Sequence, residues 1–145
     1  MSNGLLSSSF TPTDGSQYLG DGLFRQTIVT NQRNSAGWLW NMKGVDLERY
    51  KQNPTVLWSH GEYVLGKTER LEISDSKIVA YYRYAEGDPL ADRMKHLDMN
   101  GFLPAASIGA MPTKYTEVQQ GFDFHNWQLF EWSKCAVGLD PYAVQ

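Results

Sequence analysis

The sequence predicts one α+β domain, mostly β: a barrel or sandwich of about six or seven strands with two helices. Three observations carry this. Most apolar stretches alternate with polar residues at the two-residue period of a half-buried strand, as in "RLEIS" and "IVAYYRY". Only two segments carry the start and stop signals of a helix. The chain has 145 residues, 41% of them hydrophobic, which suffices for a single core without disulfide or metal staples.

The elements follow in order. Residues 1–22, rich in Ser, Gly and Thr and without sustained periodicity, predict a flexible N-terminal tail, and 23–145 the single folded domain. "FRQTIVTNQ" is strand-like through its β-branched residues, and "GWLWNMKG" predicts a second strand leading into a turn. "VDLERYKQN" predicts a short helix capped by Asp46, with Val45, Leu47 and Tyr50 as its apolar side and Asn53-Pro54 as its stop. "TVLWSH" predicts a strand ending on His60. A hairpin follows across "SDSK", with Leu71 and Ile73 outbound and Ile78, Ala80, Tyr82 and Tyr84 on the return. The strongest helix signal is "DPLADRMKHLDMNG": Asp88 at the N-cap, Pro89 at the first helical position, Leu90, Met94 and Leu97 as a stripe, and Asn100-Gly101 at the end. "LPAASIGAMPTKYTEV" and "FDFHNWQLFEWSKCAVGL" predict two further strand regions joined by "QQG".

Composition excludes several function classes. A net charge of −3 with no Lys/Arg cluster argues against a nucleic-acid or membrane-surface binder, and no apolar run reaches the length of a transmembrane helix. The one cysteine, Cys135, leaves no intrachain disulfide framework and suits a reducing compartment. His60, His96, His125 and Cys135 are too scattered to predict a metal site, and no glycine loop of a phosphate-binding type is present, so no cofactor is expected.

Candidate chemistry rests on Ser107, in the small-residue run "AASIGA", and on His60. A serine needs a base within hydrogen-bond reach, and the resulting imidazolium needs a partner that orients it. Each residue alone is more often structural than catalytic. Glu131, among Leu129, Phe130 and Trp132, is the unusual charge. By simple alternation it shares a strand face with Leu129 and Ser133, while Phe130 and Trp132 share the other. An edge-strand carboxylate facing water is the bland alternative.

Three segments in order, "VDLERYKQNPTVLWSHGEYVLGKTERLEI", "GFLPAASIGAMP" and "WQLFEWSKCAVGLDPYA", resemble the motif blocks of the tailed-bacteriophage prohead proteases, the capsid maturation serine proteases. The match spans roughly residues 24–143, with 47 residues from His60 to Ser107 and 24 from Ser107 to Glu131. The resemblance implies an assemblin-like β-barrel ringed by helices, with Ser107 as nucleophile, His60 as general base and Glu131 as the residue that orients it. In assemblins the third member is a second histidine, which makes His125 the alternative. Backbone N–H groups of Ile108 and Gly109 are the expected oxyanion hole. The implied substrates are phage major capsid protein and scaffold segments inside an assembling prohead in the host cytoplasm, and the chain itself. Assemblin-like proteases also pair, so a homo-oligomer is an open expectation.

Two departures stand out. Leu103-Pro104-Ala105-Ala106 lacks the basic residue the family often places before its serine, and Ala136 and Gly138 replace prolines of the last block. They motivate the alternative of a non-catalytic capsid-assembly or scaffold-associated module, which a separation beyond about 5 Å between His60 and Ser107 would favour. A small-ester hydrolase is the weaker option, since the G-x-S-x-G elbow is missing.

Overall fold

The structure, a computed structural model, describes residues 6–9, 15–34 and 36–136. In chain order the strands are β1 (Leu6–Ser9), β2 (Ser16–Gly20), β3 (Leu23–Thr30), β4 (Trp38–Trp40), β5 (Val45–Asp46), β6 (Thr55–Trp58), β7 (Val64–Ile73), β8 (Lys77–Tyr84), β9 (Ala105–Val118) and β10 (Gly121–Cys135). The helices are α1 (Glu48–Gln52) and α2 (Pro89–Met99).

All ten strands belong to one mixed sheet along the path β1-β9-β10-β6-β7-β8-β3-β2, with β4 and β5 also on β10. The expected α+β, mostly β class is what the chain adopts. The expected closed barrel of six or seven strands is not: among the described residues no backbone ladder joins the two ends of the path. Each end strand pairs with one neighbour, β1 with β9 and β2 with β3. The sheet still curls enough for a side chain to cross the gap, since Gln26 Nε2 donates to Pro104 O at 3.0 Å.

Strands β1 and β2 fall within residues 1–22, so the expected tail contains two pieces of the sheet. "LSSS" and "SQYLG" show no apolar alternation; both are end strands of the path, which pair through their backbones with a single neighbour. The helix expected over 45–53 is shorter, because Val45–Asp46 pair in parallel with Trp127–Gln128 of β10 and only Glu48–Gln52 coil. Asp46 Oδ1 accepts from Glu48 N–H, keeping a capping contact. Helix α2 forms where its punctuation placed it: the Asp88 carboxylate accepts from Ala91 N–H and Pro89 opens the first turn.

β10 is the spine of the molecule. It pairs antiparallel with β9 on one edge and, in succession, parallel with β4, β5 and β6 on the other. Trp127, Leu129 and Trp132 point from it into the core, all fully buried. Trp132 packs edge-on against Tyr82 and donates to Thr68 Oγ1 at 2.9 Å; Thr68 in turn is bonded to Tyr50 OH. This anchoring fixes β10 on both sides of the residues that matter below.

Candidate active site

Three neighbouring strands supply the candidate residues. Ser107 lies in β9, directly opposite Ser133 of β10, and Gly109 lies opposite Glu131. β6 runs parallel to β10 with Leu57 beside Ser133 and Trp58 beside Lys134, so the chain leaving β6 emerges beside Lys134 and has to turn back to reach Glu131. There it turns sharply. Ser59 and His60 both take left-handed backbone angles, φ 50° and 59°, which costs a non-glycine residue roughly 1–2 kcal/mol each. The turn is held by Ser59 N–H on Lys134 O at 2.9 Å and Gly61 N–H on Trp58 O at 2.9 Å. His60 is therefore a turn residue, not the last residue of a strand.

The turn aims the imidazole between the other two groups. His60 Nε2 lies 2.8 Å from Ser107 Oγ, and Nδ1 meets Glu131 Oε2 in a short contact. An ionised carboxylate can only accept, so the proton sits on Nδ1, Nε2 is the acceptor, and the Ser107 hydroxyl donates to it. Ser107 is fully buried, while the His60 and Glu131 side chains are 22% and 15% exposed. The geometry brings together Ser107, His60 and Glu131, the three residues singled out in the sequence. His125 is not among them: its Nε2 bonds Thr116 Oγ1 at 2.8 Å on the outer half of the β9–β10 ribbon.

Glu131 reaches this position through an irregularity that alternation could not predict. Leu129 pairs with Ala110 and Glu131 with Gly109, so Phe130 is an extra residue in the ladder, a β-bulge. The expected sharing of a face by Leu129 and Glu131 is corrected accordingly. Leu129 and Trp132 both enter the core, while Phe130 and Glu131 lie together outside it. Phe130 is covered by the Arg49 guanidinium, 4.2 Å from its ring centroid.

Gly109 makes room for the carboxylate. A Cβ there would sit 2.3 Å from Glu131 Oε2. As for the expected oxyanion donors, Ile108 and Gly109 have β10 on one side and β1 on the other. Consecutive residues of a strand direct their N–H groups to opposite edges, so one of the two faces β10 and the other faces β1.

Ser133 escaped the sequence reading as a functional residue, although it was placed on Glu131's face. Its Oγ accepts from His60 N–H at 2.9 Å and donates to Glu131 Oε1 at 2.8 Å. The signal was the E-x-S spacing, which on a strand puts both side chains on one side.

A second polar cluster lies behind the site. Asp98 of α2 accepts from Tyr82 OH at 2.6 Å, from Tyr84 OH at 2.7 Å and from Ser16, and its carboxylate lies 3.4 Å from the buried Lys134 ammonium. Burial lowers the Lys134 pKa to about 8, only partly offset by the charge of Asp98. Burial raises Tyr82 and Tyr84 well above their ordinary value, with the Asp98 carboxylate adding to the shift. A cavity of about 520 Å³ lined by Gln52, Asn53, Val64, Lys67, Arg83 and Ala85 includes none of the three candidate residues.

No family model matches the chain, and no curated protein does. Among solved structures it is similar to the capsid assembly protease of bacteriophage T4, gp21, with a TM-score of 0.71. The alignment covers 92% of this chain and 97% of that one at 10% sequence identity. The chain has the fold of a phage capsid assembly protease. At that identity the likeness concerns the path of the backbone, and the roles of individual residues rest on the contacts described above. The end of the third resembling block, from Val137 onward, lies outside the described residues.

Proposed function

We propose that the protein is a serine endopeptidase that cleaves pro-segments of capsid and scaffold proteins during prohead maturation inside the infected host cell. The observation that carries this reading is the imidazole of His60, bonded through one nitrogen to Ser107 at 2.8 Å and through the other to Glu131. A separation this short argues against the non-catalytic module.

The steps follow from that geometry. Ser107 Oγ attacks the scissile carbonyl carbon as its proton passes to His60 Nε2, and Glu131 stabilises the imidazolium. The tetrahedral intermediate expels the amine, which takes the proton from His60 as the C–N bond breaks. Water then attacks the acyl-enzyme with His60 again as base, releasing the acid and restoring Ser107.

The protein's own strand β1 supports an extended peptide as substrate. It runs antiparallel along β9 with Ser9 opposite Ser107, so this edge accepts a strand by backbone pairing beside the nucleophile. A substrate bound this way would replace β1, and one N–H of the Ile108–Gly109 pair would then face it. The same placement makes the N-terminal segment a substrate within reach, in line with self-cleavage.

Labelling with a fluorophosphonate tests the proposal. The folded protein should be modified at Ser107, and Ser107→Ala or His60→Ala should lower peptide cleavage by roughly 10⁴-fold or more. A folded wild-type protein that stays unlabelled, or a Ser107→Ala variant that still cleaves, would refute it.

A further inference from the structure

We infer that Ser133 is a positioning residue of this active site, acting through its hydroxyl on both His60 and Glu131 at once. The inference rests on the serine-protease reading above.

The hydroxyl has one proton and two lone pairs, and both kinds of capacity are committed here. The proton goes to Glu131 Oε1 at 2.8 Å, the carboxylate oxygen that His60 does not use. A lone pair takes the backbone N–H of His60 at 2.9 Å. Ser133 therefore grips the carboxylate and the main chain of the base-bearing residue, and the His60–Glu131 contact closes the loop between them. Ser133 itself is fully buried, which shields its hydroxyl from water.

The location makes this more than incidental satisfaction of polar groups. His60 sits in the left-handed region at φ 59°, a conformation that persists only when its surroundings over-determine it. Its N–H has the Ser133 hydroxyl as partner, while the flanking Ser59 and Gly61 are held by main-chain carbonyls. On the other side, Glu131 follows a bulge, where the ladder no longer fixes side-chain direction as tightly. A donor on Oε1 sets the carboxylate plane and leaves Oε2 facing the imidazole. Ser133 itself stands opposite Ser107 across the β9–β10 ladder, so its own position is referenced to the nucleophile's strand.

The experiment compares wild type with Ser133→Ala, Ser133→Thr and Ser133→Cys. Three quantities are read: the fluorophosphonate labelling rate of Ser107 per folded molecule, the downfield proton resonance of His60 Nδ1–H, and the thermal midpoint. The expected result is a labelling rate about 10²-fold lower in Ser133→Ala, the loss expected for a misplacement near 1 Å. Its Nδ1–H resonance should move or broaden, and Ser133→Thr should recover both. A drop in thermal midpoint with an unchanged rate and resonance would overturn the inference, since a merely structural serine behaves that way. If Ser133→Ala does not fold, Ser133→Cys decides. It keeps the size with a weak donor, and an unaltered rate and resonance in it would equally overturn the inference. Should wild type resist labelling, the protease reading fails, yet the resonance comparison still decides whether Ser133 orients the His60–Glu131 pair.

Discussion

Gly109→Ala adds one carbon at the point where the acid meets the sheet. The backbone of Gly109 does not lie in the left-handed region, so alanine is conformationally acceptable there. The added Cβ, however, would lie 2.3 Å from Glu131 Oε2 and 3.0 Å from its Cδ. Ordinary carbon–oxygen contact needs about 3.4 Å, so the carboxylate must shift by about 1 Å from the position in which it meets the imidazole. A displacement of that size costs on the order of 10²-fold in rate, and overpacking costs about 1–3 kcal/mol of stability. The assay is the fluorophosphonate labelling rate of Ser107, with thermal unfolding in parallel to count folded molecules. The substitution keeps the Gly109 N–H, so a loss of activity cannot come from a deleted oxyanion donor. A folded Gly109→Ala protein that labels at the wild-type rate would refute the view that Glu131 must sit where it does.

Other outcomes follow from the same geometry. Glu131→Gln should lower labelling by roughly 10⁴-fold without unfolding the chain, because an amide can present an N–H to Nδ1 and favour the wrong tautomer; near-normal labelling would remove Glu131 from the set. Thr68→Val, isosteric but without the hydroxyl that serves Trp132 Nε1 and Tyr50 OH, should cost about 1–3 kcal/mol in denaturant titration. The Lys134 pKa falls from 10.5 to about 8 on folding, so the unfolded chain binds more protons between those values and stability rises with pH in that window. Lys134 by itself should contribute a gain of about 2 kcal/mol from pH 8 to 10. As pH approaches 10 the raised pKa values of Tyr82 and Tyr84 oppose and then reverse the trend, since the unfolded chain loses protons the folded one keeps. Lys134→Met should flatten the rise, and a rise that survives in that variant would assign it to another group.

What the sequence revealed was local. Asp88-Pro89 and Asn100-Gly101 bracket α2 because capping is decided within one turn, and the β7–β8 hairpin is legible because its alternation surrounds its own turn. The pairing of β10 with β4 and β5 was invisible, since strands of three and two residues exist only through a distant partner. β1 and β2 were hidden for the same reason. At the site, Ser107, His60 and Glu131 were found through the order of the three blocks together, whereas each residue alone favoured the bland explanation. The bulge at Phe130 and the left-handed turn at His60 were not legible, because both are set by what lies across the sheet. They are also the two devices that turn three ordinary residues into one hydrogen-bonded chain.

The order of β9, β10 and β6 in the sheet also bears on timing. His60 and Glu131 are 71 residues apart in sequence, and they meet only when β10 inserts between β9 and β6. Joining segments so far apart is a late and cooperative event in folding, since loop-closure entropy must be overcome before their contacts form. A partly folded molecule would therefore hold a serine with no base and a histidine with no acid. Under the serine-protease reading proposed above, hydrolytic power would therefore depend on the completed sheet.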